Sequence, residues 1–183
     1  PDYSFDYEEL ASKVNSNTRL ILLNSPHNPT GKVFNHQELS QIAKLAVEKD
    51  LLVVTDEVYE HLVFDGLSHI PISTLPDMSD RTLTISSAAK TFGFTGWKIG
   101  WAHGPSELLA AVRIAKQFLT YVNGAPFQHA IAEAKRRGLS CSVTKSTLTG
   151  TSSSSSGNCS SNIKACSQKE LCFEGTFINH AGL

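Results

Sequence analysis

Arg19-Leu-Ile-Leu-Leu23, then Asn24-Ser-Pro-His-Asn-Pro-Thr-Gly31, then His36 to Glu48, then Leu51-Leu-Val-Val-Thr55: this stretch decides the fold. The two outer runs are short and almost continuously apolar, as strands buried on both faces are. The second run is dense in Pro, Asn and Gly and reads as a loop. The third places Leu39, Ile42, Ala43 and Ala46 at helical spacing behind Asn35 and Glu38, a capping-box pair. Strand, helix, strand with apolar strands predicts a right-handed crossover between parallel strands, covered by helices on both sides.

The same alternation continues in both directions. Upstream, Asp6 with Glu9 is a second capping-box pattern and opens a short helix from about Tyr7 to Val14. Downstream, Thr82–Ile85 and Ile99–Ala102 read as further strands. Pro105–Leu119 reads as a helix with the stripe Leu108, Val112, Ala115 and Leu119, and Ala125 to about Lys135 begins another. The fold class is α/β, with a mostly parallel sheet flanked by helices. Residues 1–135 form one unit. Residues 136–183 are an atypical tail that holds the Ser152–Ser156 run and all four cysteines, Cys141, Cys159, Cys166 and Cys172. With no period of 2 or 3.6, the tail is expected to be disordered or translated from a shifted frame.

Composition excludes several function classes. The chain has 183 residues, with 16 Lys and Arg against 17 Asp and Glu, for a net charge of -1. A nucleic-acid binder would carry a basic excess. No apolar run approaches the roughly 20 residues of a spanning helix, so no membrane partner is expected. The cysteines contain no C-x-x-C pair, and His27, His61 and His103 have no ligand spacing, so no metal site is expected. No phosphate-binding Gly-rich fingerprint occurs. The cysteine-free stretch before Cys141 fits a reducing, cytoplasmic setting, with organellar targeting left open. The chain opens on Pro1 rather than Met and reads as cut from something longer.

In open α/β sheets, ligands sit beyond the carboxyl ends of the strands. The polar residues there are Asn28 after the first strand, Asp56 after the second, and Ser86, Ser87 and Lys90 after the third, with Lys98 just before the fourth. One at a time, each has an ordinary reading. Asn28 is a loop residue, Asp56 and the serines are helix caps, Tyr59 is core and Lys90 is a solvated surface charge. Together on one rim, a carboxylate, hydroxyls and two cations make a site for an anionic cofactor. Phe92, Phe94, Trp97 and Trp101 surround the lysine segment and read as packing.

Ser-Pro-His-Asn-Pro-Thr-Gly31, Thr-Asp-Glu-Val-Tyr59 and the segment Ser86 to Trp101, in this order, resemble the class I/II aminotransferases of fold type I. The resemblance is strongest to the branch of kynurenine, methionine and N-succinyldiaminopimelate aminotransferases. It spans about residues 1–135 and implies pyridoxal 5'-phosphate (PLP) as cofactor. By that resemblance Lys90 is the catalytic residue. It would form the Schiff base with PLP and, in its neutral form, move the substrate proton. Asp56 would face the pyridine nitrogen. Asn28 and Tyr59 would bond the phenolic oxygen, and Ser87 and Lys98 would hold the phosphate. Lys98 stands where many relatives have arginine, which keeps the charge and loses the bidentate fork. Asn28-Pro29 resembles a cis-peptide site of the family.

The implied reaction is transamination between an amino acid and a 2-oxo acid, by a parent protein expected to be a homodimer. The upstream segment and the arginine that grips substrate carboxylates are not matched here, since no arginine follows Arg137, so this chain alone is expected to be weak or inactive. Glu174–Ile178 is only a faint match to a strand of the family's small domain. The alternatives are β-elimination from cysteine S-conjugates at the same residues, or a non-catalytic truncated protein that pairs with an intact subunit.

Overall fold

A computed structural model describes residues 3–93 and 95–138. Phe94 and the whole Ser/Cys-rich tail therefore lie outside the described residues, as does Glu174–Ile178. Five α-helices and four strands follow the chain as α1 (Tyr7–Lys13), β1 (Leu20–Asn24), α2 (His36–Glu48), β2 (Leu52–Asp56), β3 (Thr82–Ser87), α3 (Ala88–Thr91), β4 (Gly100–His103), α4 (Ser106–Leu119) and α5 (Ala125–Arg136). Short 3₁₀ turns cover Ile72–Thr74 and Thr95–Trp97.

The sheet order is β1-β2-β3-β4, which is also the chain order. β1 pairs parallel to β2, with Leu22 opposite Val54 and Asn24 opposite Asp56. β2 pairs parallel to β3, with Asp56 opposite Ile85. β4 turns back and runs antiparallel to β3, with Ser87 opposite Gly100. The described residues of 88–99, between the two strands, hold only the four-residue α3 and a short 3₁₀ turn, and no helix long enough to carry a crossover back to the start of β3. Gly104 ends β4 where a Cβ would stand 2.5 Å from the Thr82 carbonyl oxygen, so only glycine lets the chain leave the strand there.

The helices start where their side chains satisfy the free N–H groups. In α2 the capping box forms fully. Glu38 N–H donates to Asn35 Oδ1 at 2.9 Å, and Asn35 N–H donates to Glu38 Oε2 at 2.9 Å. In α1 only the first half is recorded, Glu9 N–H to Asp6 Oδ1 at 3.0 Å, while the Glu9 carboxylate turns to Lys13.

One face of the sheet carries the main core. Leu23 and Val53 meet Leu39, Ile42, Ala43 and Ala46 of α2, with Ile72, Leu75 and Met78 from the β2–β3 connection. Each large side chain buried there contributes about 1.5–3 kcal/mol. A smaller cluster joins Ala88, Ile99, Trp101 and Ile131, flanked by Phe92.

The other face corrects the expectation of cover on both sides. Leu20, Leu22, Leu52 and Ile85 are exposed, Leu22 by 73%. The stripe expected on α4 is likewise unburied: the helix forms, yet it has no buried residue among those described, and Leu119 is 81% exposed.

Candidate functional site

The carboxyl ends of β1, β2 and β3 converge on one rim. Strand alternation sends successive side chains to opposite faces. Asn24, Asp56 and Ser87 therefore share one face, by the register Asn24–Asp56 and Asp56–Ile85, with Ser87 two residues beyond Ile85. Asn24 is the fastener of this rim. Its side-chain Nδ2 donates to the Asp56 carbonyl at 3.0 Å, and its Oδ1 accepts the Asn28 N–H at 2.9 Å. The Ser25 N–H donates to the same Asp56 carbonyl at 3.1 Å.

The loop from β1 delivers Asn28. Both Ser25-Pro26 and Asn28-Pro29 are cis. Asn28 Nδ2 then donates to the Tyr59 hydroxyl at 3.4 Å. Tyr59 carries the chain of contacts onward, because Lys90 Nζ lies 5.4 Å from the centre of its ring, within cation–π range. Asp56 Oδ1 accepts the Val58 N–H at 3.2 Å, which sets the start of the turn that places Tyr59.

Ser87 caps α3, its Oγ accepting the Ala89 N–H at 3.1 Å and donating to the Ile99 carbonyl at 3.4 Å. Lys90 follows in the first and only turn of that helix. Lys98 is exposed, two residues before Gly100, the ladder partner of Ser87. Its carbonyl accepts Asn123 Nδ2 at 2.5 Å. The structure thus brings Asn28, Asp56, Tyr59, Ser87, Lys90 and Lys98 to one end of the sheet.

Other expectations sort less simply. Ser86 is not on the rim; it is buried on the opposite face and its Oγ donates to Glu60 Oε1 at 2.6 Å. Trp101 and Phe92 pack in the smaller core cluster, whereas Trp97 is partly exposed and meets Phe127 at 4.3 Å between centroids. His27 bonds Thr30 Oγ1 through Nδ1 at 2.7 Å. Asn24 and the buried pair Glu57–His69 were not read as part of the site. Asn24 had a signal, since an asparagine ending an apolar strand beside a Pro-rich loop is a ready partner for backbone groups. Among the described residues, no group of three or more His, Cys, Asp and Glu could hold a metal ion. No helix among them is long and apolar enough to cross a membrane.

Comparison with known proteins gives the class. The family of aminotransferases of class I and II matches residues 1–145. The chain is 57% identical over 132 residues to a probable N-succinyldiaminopimelate aminotransferase, DapC, of Mycobacterium tuberculosis, a match covering 72% of this chain and 33% of that one. It is 49% identical over 133 residues to human kynurenine–oxoglutarate transaminase 3, covering 73% of this chain and 29% of the relative. Among solved structures, the M. tuberculosis N-succinyldiaminopimelate aminotransferase superposes with a TM-score of 0.70 over 72% of this chain and 34% of that chain. The Escherichia coli protein YbdL, described with a methionine aminotransferase function, also gives 0.70, at 33% identity and over 74% of this chain and 36% of its own. The chain belongs to the class I and II aminotransferase family, whose members use PLP. It spans about a third of the length of the curated relatives it matches.

Proposed function

We propose that this chain carries the PLP-anchoring part of an aminotransferase that moves an amino group between an amino acid and a 2-oxo acid. The observation that carries the reading is the run of contacts Asn24–Asn28–Tyr59–Lys90, built around Asp56 at one sheet end. The donor set fits the cofactor in kind: an amine for its aldehyde, a carboxylate for its pyridine nitrogen, a phenol and a carboxamide for its phenolic oxygen, and a hydroxyl with a second cation for its phosphate.

When bound, PLP supplies an electron sink for the electron pair left at the substrate's Cα. The chain's own residues do the rest. Lys90 would hold the cofactor through its amine and, when that amine is free, would take and return the Cα proton. Its place on the turn that follows β3 keeps Nζ beside Tyr59. Asp56 is held at its carbonyl by Asn24 Nδ2 and at Oδ1 by the Val58 N–H, so its carboxylate would meet the ring nitrogen with little search for orientation. Tyr59 and Asn28, already bonded to each other, present two donors to one oxygen. Ser87 and Lys98 would bind phosphate by hydroxyl and by point charge.

The test is a visible absorption spectrum of the purified chain with added PLP, beside Lys90→Ala, before and after borohydride. The expected result is a visible band that needs Lys90 and is fixed to the protein by reduction. No band, or a band equally strong in Lys90→Ala, overturns the reading.

A further inference from the structure

Asp56 has a buried neighbour that the chemistry above leaves unused. Glu57 is 2% exposed and lies on the opposite face of the sheet from Asp56. Its Oε2 accepts His69 Nε2–H at 2.8 Å, and its Oε1 accepts the Thr55 hydroxyl at 3.2 Å. The His69 side chain is 7% exposed. Its Nδ1 has no hydrogen-bond partner among the described residues, so among these its one polar tie is to Glu57.

We propose that Glu57 and His69 are a positioning pair, which fixes the turn after β2 so that Asp56 and Tyr59 are aimed before cofactor arrives. The inference rests on the cofactor reading given above. His69 sits midway along the β2–β3 connection, next to Ile70, which packs on the main core, and close to the fully buried Ile72. The Glu57–His69 bond therefore ties the end of β2 to the middle of its own connection. The Glu57 backbone is clamped as well: its N–H donates to the Ile85 carbonyl at 2.8 Å, and its carbonyl accepts the Glu60 N–H at 2.9 Å. With Glu57 fixed below the sheet, the peptide before it is fixed, and alternation directs Asp56 to the rim.

Packing alone does not account for the pair. A buried polar pair is often matched or bettered in stability by apolar residues of similar volume, because both groups must be stripped of water. What hydrogen bonds add is direction. A leucine in place of each residue fills the space and loses the orientation, which separates positioning from packing.

The experiment compares the 183-residue chain with two variants: Glu57→Leu combined with His69→Leu, and His69→Gln, which keeps a donor. Backbone amide exchange is followed without cofactor at Glu60 and Leu62, and PLP affinity is read by titration. In the double variant, exchange at these two amides rises roughly tenfold and PLP dissociation rises roughly tenfold, the scale of one lost hydrogen bond. The amides of α2, which packs on the same face, stay as in wild type, and His69→Gln stays close to wild type throughout. A double variant that exchanges and binds like wild type overturns the proposal. So does a general rise in exchange that includes α2, or a His69→Gln chain as impaired as the double variant. If the unmodified chain binds no PLP while the turn still loosens selectively, the cofactor reading fails and the turn-fixing role stands.

Discussion

Near the end of α5, the Glu133 carboxylate bonds two guanidinium groups, Arg136 at 2.7 Å and Arg137 at 2.6 Å. The Arg136 hydrogen bonds first, then that of Arg137, lower its pKa from 4.5 to about 2. The depressed value means that this contribution to stability is full above the unfolded pKa and is lost as pH falls toward the folded one. A gap in thermal midpoint between wild type and Glu133→Gln is therefore expected near neutral pH, closing as pH drops from 4.5 through about 2. The group is solvent-exposed, so the gap is small and shrinks with added salt. A gap that persists in strong acid would contradict the assignment.

Other residues differ in how far sequence could reveal them. Asp56 and Lys90 were legible because three motifs stand in order along the chain. Ser86 and Ser87 are adjacent and alike, and only the register of β3 decides that Ser87 meets the rim while Ser86 meets Glu60. Glu57 shows in sequence only as one more carboxylate after an apolar strand. Its partner lies twelve residues away across an irregular connection, and no local spacing signals such a pair.

Among the elements, α2 is the one whose ends and face are both written in local sequence. Asn35→Ala removes the cap and leaves the Glu38 N–H without its acceptor. The expected cost is about 1 kcal/mol, read as a lower urea midpoint with an unchanged slope. No shift in midpoint would mean that packing of Leu39 and Ile42 alone sets the start of the helix. α4 teaches the complement. Its period and length were readable, and Ser106–Leu119 forms nearly as expected. Periodicity marks which face seeks cover; it does not say what provides it. The direction of β4 was similarly hidden, because a short apolar run looks alike in either sense.

For the molecule as a whole, the unequal faces of the sheet dominate behaviour in solution. Leu20, Leu22, Leu52 and Ile85 are exposed on one face of the sheet, and Val112, Ile114 and Phe118 of α4 are exposed as well. Exposed apolar area of this kind promotes association. Leu22→Lys is expected to shift the purified chain toward monomer in sedimentation velocity without lowering its thermal midpoint, since the side chain is 73% exposed. Unchanged association would place the sticky surface elsewhere. The α/β class was legible here because alternation of elements is a local pattern. The bare face was not, since cover is a property of what else is present.

Strand order that follows chain order has a consequence for synthesis. Each new strand leaving the ribosome meets an edge already in place, so the sheet can grow by one-sided addition without reopening an earlier pairing. Asn28, Asp56 and Tyr59 are all made before Lys90. The lysine that would anchor the cofactor is thus the last to be made but for Lys98 among the six rim groups.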